Sequence, residues 1–125
     1  MSKKSSEVQS TRNVQQYIKE LVQYVDQKKG TEIIVFDVRG ISPITDYLVI
    51  TTGLSEIHNR TIAEHIMQHG RPNHVEGYEI GQWILLDYFD VIVHIFSQEA
   101  REFYGLERLW GDAPQLSVDY DTSTP

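Results

Sequence analysis

The chain has 125 residues, 40% of them apolar and 23% charged, with a net charge of −7 and a mean hydropathy of −0.36, the figures of one soluble globular domain. No apolar run nears the roughly 20 residues of a membrane-spanning helix, and the opening MSKKSSEVQSTRN lacks the apolar stretch of a secretory signal, so a cytoplasmic location is expected. Cysteine is absent, which excludes a disulfide framework and thiolate metal ligation.

Val14, Tyr17, Ile18, Leu21, Val22 and Val25 recur at the spacing of one helical face and predict a first helix over about 11–29, capped by Ser10 or Thr11 and stopped by a left-handed Gly30. Ile33, Ile34, Val35, Phe36 and Val38 are a β-branched run expected as a strand buried on both faces. Gly40, Ser42 and Pro43 break it, and Tyr47–Thr51 forms the second strand, closed by Gly53. Ser55 caps a second helix through Ile57, Ile62, Ala63 and Ile66, which Gly70 and Pro72 end. Val75–Gly81 is turn-rich and predicts a weak edge strand.

Two strongly apolar runs follow, Trp83–Tyr88 and Asp90–Phe96, close enough for a tight hairpin. Ser97 then caps one final helix carrying Ala100, Phe103, Tyr104, Leu106, Leu109 and Trp110, with Leu109 expected to pack it on the sheet. A polar tail begins at Gly111. The domain is expected over 11–114, between flexible segments 1–10 and 115–125. The order of elements predicts an α/β fold of the α+β kind, with a single mixed β-sheet of about five strands and helices mainly on one face.

If Tyr88 and Phe89 form the loop, Asp87 opposes Asp90, Leu85 opposes Ile92 and Trp83 opposes His94. Strand alternation then gives one aliphatic face, with Ile84, Leu86, Val91, Val93 and Ile95. The other mixes Trp83, Leu85, Asp87, Asp90, Ile92, His94 and Phe96, the composition of an interface centre. The competing reading, in which a helix covers this face and Trp83 is core, stays open on these residues alone. Tight turns favour Gly or Asn where φ is positive, and Phe89 is neither.

Catalytic and metal patterns are incomplete. His58, His65 and His69 share a helix side but lack a metalloprotease glutamate or an obvious third ligand. Gly53 and Ser55 imitate a nucleotidyltransferase turn, yet no carboxylate pair follows them, and Asp46, Asp87 and Asp90 are better read as solvated turn carboxylates. Neither a nucleophile elbow nor a phosphate loop is present. No cofactor, metal or catalytic residue is expected, and a nucleotide-handling enzyme is the alternative. The charge is also unevenly spread: residues 1–30 hold six basic and three acidic side chains, a net +3, which leaves −10 for the rest. Such a body repels a phosphate backbone and favours a basic protein as partner.

The strings Thr45-Asp46-Tyr47-Leu48-Val49-Ile50, Glu76-Gly77, Trp83–Tyr88, Asp90–Phe96 and Arg101–Trp110 closely resemble the ribosomal silencing factor family, also called Iojap-related, over about residues 11–114. The resemblance implies a fold similar to nucleotidyltransferases without their catalytic residues. It further implies binding to the large ribosomal subunit through its protein numbered fourteen, which blocks joining of the small subunit and lowers translation when nutrients are scarce. Carried over by position, Trp83 is the apolar anchor, and Asp87, Asp90 and His94 are the other hairpin positions, the two carboxylates pairing with Lys or Arg of the partner. Arg101, Tyr104, Glu107 and Trp110 match the terminal helix, and Tyr88 and Asp46 complete the expected partner-binding set. Self-association through the free hairpin face, giving a homodimer, is a further expectation. The sequence departs from the family pattern at Phe89, where a turn glycine is usual, and at Ser55-Glu56-Ile57-His58, where a basic start is usual.

Overall fold

The computed structural model describes residues 3–118, with side chains from Val14 onward. Its elements are α1 (Lys3–Gln27), β1 (Thr31–Asp37), β2 (Tyr47–Gly53), α2 (Glu56–Gln68), β3 (His74–Glu76), β4 (Trp83–Asp87), β5 (Val91–Ser97), α3 (Gln98–Tyr104) and α4 (Leu106–Leu109). The five strands form one sheet in the order β1-β2-β5-β4-β3. Only β2 and β5 run parallel; the other pairs are antiparallel. This is the mixed α+β architecture that the order of elements predicts.

The two long helices cover one face. Ile18, Leu21, Val22 and Val25 of α1 and Ile62, Ala63 and Ile66 of α2 pack on Val49, Ile84, Leu86, Val93 and Ile95, all buried. The opposite face carries a smaller core, in which Phe36, Leu48, Ile50, Ile92 and Phe96 lie beneath Ala100, Leu106 and Trp110 from the short C-terminal helices. Every residue of β2 is buried, whereas β1, expected to be buried on both faces, is an edge strand whose first two residues are exposed. A β-branched run marks a strand, but its place in the sheet depends on partners distant in sequence.

Several boundaries differ from expectation for identifiable reasons. Helix α1 begins at Lys3, ahead of the expected start at residue 11. Lys29, not Gly30, takes the left-handed conformation after it, with φ 69°. Gly30 is required by space instead, since a Cβ there would lie 2.4 Å from Cγ1 of Val25. The terminal helix is two helices, because Gly105 adopts φ 55° and its N–H closes α3 on the carbonyl of Arg101. Leu109, expected against the sheet, is 71% exposed as a result. Residues 114–116 are held on the open edge of β1: the Asp37 N–H donates to the Pro114 carbonyl at 2.9 Å, and the Leu116 N–H donates to the Val35 carbonyl at 2.8 Å. Leu116 and Val118 pack on the larger core.

Candidate partner-binding face

Hairpin β4–β5 supplies the centre of the second sheet face. Its register pairs Asp87 with Ile92, Leu85 with His94 and Trp83 with Phe96, two residues away from the pairing expected for a Tyr88-Phe89 loop. The Tyr88 N–H donates to the Val91 carbonyl at 2.9 Å, and the Asp90 N–H returns to the Tyr88 carbonyl at 2.9 Å, a γ-turn centred on Phe89. Phe89 takes φ 70°, a conformation that costs a non-glycine residue roughly 1–2 kcal/mol. Neighbours over-determine it: the Phe89 N–H donates to Oδ1 of Asp87 at 2.8 Å, and the Thr45 hydroxyl donates to the Phe89 carbonyl at 2.8 Å. The N–H groups of Asp46 and Tyr47 donate to the Asp90 carbonyl. A shift of two residues preserves alternation, so the face still carries Trp83, Leu85, Asp87, Ile92, His94 and Phe96. Asp90 leaves it, moving into the turn.

Trp83 is neither free nor core. Its indole is partly buried, stacks on Phe96 at 4.9 Å, meets Tyr104 of α3 at 4.6 Å, and donates from Nε1 to Nδ1 of His94 at 2.9 Å. Accepting that bond fixes the neutral tautomer of His94 with its proton on Nε2. Burial also pushes the His94 pKa down to about 4. His94, expected to touch a partner, is only 6% exposed and holds the indole in one orientation. Around Trp83 the open surface continues through Tyr104 and Phe103, which are 54% and 77% exposed and in edge contact at 5.0 Å. Partly buried Leu85 and Trp110 lie in the same apolar cluster.

Arg101 is the second expected contact residue that turns inward. At 5% exposure, its guanidinium makes a bidentate pair with Glu107, Nε to Oε1 and Nη2 to Oε2, both at 3.0 Å. Nη1 donates to the Glu32 carbonyl at 2.8 Å and to the Thr52 hydroxyl at 2.7 Å. The Arg101 hydrogen bonds hold the Glu107 carboxyl below its usual range. Both residues thus clamp the C-terminal helices to β1 and β2 and are spent internally. Tyr88 also leaves the face: its hydroxyl donates to the Gly70 carbonyl at 2.7 Å, and its ring meets Tyr17 edge-on at 5.9 Å on the α1–α2 side. Burial raises the Tyr88 pKa to about 12.

Acidic groups gather at the turn end of this face. Asp87 sits at the end of β4 opposite His74 of β3, Asp46 is exposed just before β2, and Asp90 occupies the turn. Desolvation, then the charge of Asp46, raises the Asp90 pKa. Residues absent from the expected set also contribute, namely Leu85, Ile92, Phe103 and Thr45. The alternation that places Trp83 on this face places Leu85 and Ile92 there too.

The imitation of a nucleotidyltransferase turn is accounted for by helix capping, since the Ser55 hydroxyl accepts from the His58 N–H at 3.0 Å. Gly53 pairs with Ser97 and Tyr47 with Val91, so Gly53 stands at the opposite end of the sheet from Asp87 and Asp90. Six residues of strand, about 20 Å, separate them. The three histidines serve packing: His58 accepts from the Leu54 N–H and meets the Lys28 carbonyl, His65 meets Gln27, and His69 stacks on Tyr24 at 4.0 Å. Among the described residues no helix is long and apolar enough to cross a membrane.

Fold and face together define a small α+β domain whose most distinctive surface is an aromatic patch with an acidic margin. Comparison with known proteins is specific. The family model "Ribosomal silencing factor during starvation" matches residues 11–125, and the chain belongs to that family. It is 36% identical over 110 residues to Ribosomal silencing factor RsfS of Halalkalibacterium halodurans, covering 84% of this chain and 94% of that protein. It is 37% identical over 100 residues to Ribosomal silencing factor RsfS of Bacillus subtilis, covering 76% and 85%. The chloroplastic protein Iojap of Zea mays is 30% identical over 106 residues, which cover 82% of this chain and 46% of that longer protein. A crystal structure from Bacillus halodurans superposes with a TM-score of 0.72 at 33% identity, covering 83% of this chain and 99% of that one.

Proposed function

We propose that this protein represses translation without catalysing a reaction. It binds the large ribosomal subunit through its protein numbered fourteen and sterically prevents the small subunit from joining, which lowers translation under nutrient limitation. The observation that carries this reading is the Trp83 face. An indole locked by His94 and flanked by exposed aromatics is a rigid apolar anchor, and Asp87, Asp90 and Asp46 at its margin favour a partner rich in Lys and Arg. Family membership supports the same assignment, since relatives are named as ribosomal silencing factors. Domain limits of 11–114 and a cytoplasmic location belong to the proposal.

Co-sedimentation with purified large subunits tests it: the wild type pellets with them and lowers the yield of joined ribosomes when small subunits are added. Absence of the protein from the pellet refutes it. A nucleotide-handling enzyme would instead give binding heat with nucleotide and Mg²⁺, and a homodimer would give concentration-dependent light scattering.

A further inference from the structure

We propose that Phe89 is a second apolar anchor, at the turn end of the sheet, that extends the partner-binding face onto a basic protein surface. This rests on the proposed function above. The Phe89 side chain is 69% exposed, and Ile44 and Ile41, on the loop that delivers Thr45 to the turn, are 73% and 53% exposed. Hydrogen bonds from Thr45 to the Phe89 carbonyl and from Asp46 to the Asp90 carbonyl bring that loop and the turn together. The chain therefore presents a large ring from a residue with φ 70°, where glycine is favoured. The described residues offer the ring little burial in return. A strained position held by its surroundings, with its side chain left in water, is the arrangement of a functional contact.

The hydrogen bonds at Asp87 and Thr45 fix the turn backbone, so little ordering is left for binding. Asp46, Asp87 and Asp90 form an acidic collar along the same turn, and among the described residues none of the three forms an ion pair within 4.0 Å. Asp37 at the same end is already neutralised by Arg39 at 2.7 Å. This collar repels phosphate and attracts Lys and Arg, which selects a basic protein surface with an apolar recess over RNA. Asp87 links the tip to the rest of the face, because it accepts from Phe89 and lies on the same strand side as Trp83 and Leu85.

The test measures affinity of the full chain for purified large subunits, with a thermal midpoint for each variant. Phe89→Gly and Phe89→Asn tolerate the positive φ, and should bind roughly tenfold more weakly, the scale of losing one buried aromatic contact, with midpoints unchanged or raised. Phe89→Leu should retain affinity within about threefold, since an apolar side chain remains. Asp46→Asn should flatten the dependence of binding on salt. If Phe89→Gly and Phe89→Asn bind like the wild type while Trp83→Ala is weakened, the proposed function stands and the tip anchor falls. If the wild type itself does not bind large subunits, the proposed function falls first. If Phe89→Gly abolishes only concentration-dependent self-association, the tip meets a second copy of the chain and the inference is overturned.

Discussion

Replacement of His94 by glutamine should abolish most of the loss of stability that this protein suffers in mild acid. Buried His94 has its pKa lowered to about 4, whereas in the unfolded chain it titrates near 6.5. A depressed histidine binds protons in the unfolded state first, so its contribution to stability is complete above the unfolded value and fades as pH falls from about 6.5 to about 4. The full shift corresponds to about 3 kcal/mol, of which roughly 2 kcal/mol is gone by pH 5. Protonation also places a second N–H against the Trp83 indole N–H at 2.9 Å, so the indole must move and its fluorescence should change in the same range. Urea unfolding at pH 7, 6 and 5, for the wild type and His94→Gln, measures this. Glutamine keeps an acceptor for Trp83 but does not titrate. His65 is also depressed, by desolvation and then Lys28, and its effect cancels in the difference between the two proteins. Parallel pH profiles for the two proteins would show that His94 does not carry the acid sensitivity.

Two further outcomes follow from the internal hydrogen bonds. Arg101→Ala removes the hydrogen bonds to Glu107, Glu32 and Thr52 and empties a buried site, so it should cost about 2–3 kcal/mol in denaturant unfolding; Arg101→Lys should fall well short of restoring it, lacking the bidentate fork. Ser55→Ala removes the acceptor at the α2 start and should cost about 1 kcal/mol by the same measurement, without weakening large-subunit binding.

The elements and the two faces of the sheet were legible because their signals are local. The apolar spacing of α1, the β-branched run of β1, and the alternation along β4 and β5 hold whichever partner a strand finds. A hairpin shift of two residues left Trp83, Leu85 and His94 on the predicted face for the same reason. What the sequence concealed lies in long-range hydrogen bonds. The turn at Phe89 is held by Thr45 and Asp46, more than 40 residues earlier, and turn propensities alone argue against a phenylalanine there. His94 and Arg101 look like contact residues because polar side chains usually face water. Their burial depends on Trp83 across the hairpin for one, and on Glu32, Thr52 and Glu107 for the other.

On the proposed function, the face around Trp83 is where the large ribosomal subunit is bound. Trp83→Ala removes the anchor from a partly covered position, so the fold should survive, with α3 losing the ring contact of Tyr104. Sedimentation of wild type and Trp83→Ala with purified large subunits, alongside circular dichroism of both, measures the claim directly. The variant should stay folded while its pelleted fraction falls at least tenfold. A folded Trp83→Ala protein that co-sediments as fully as the wild type would contradict it.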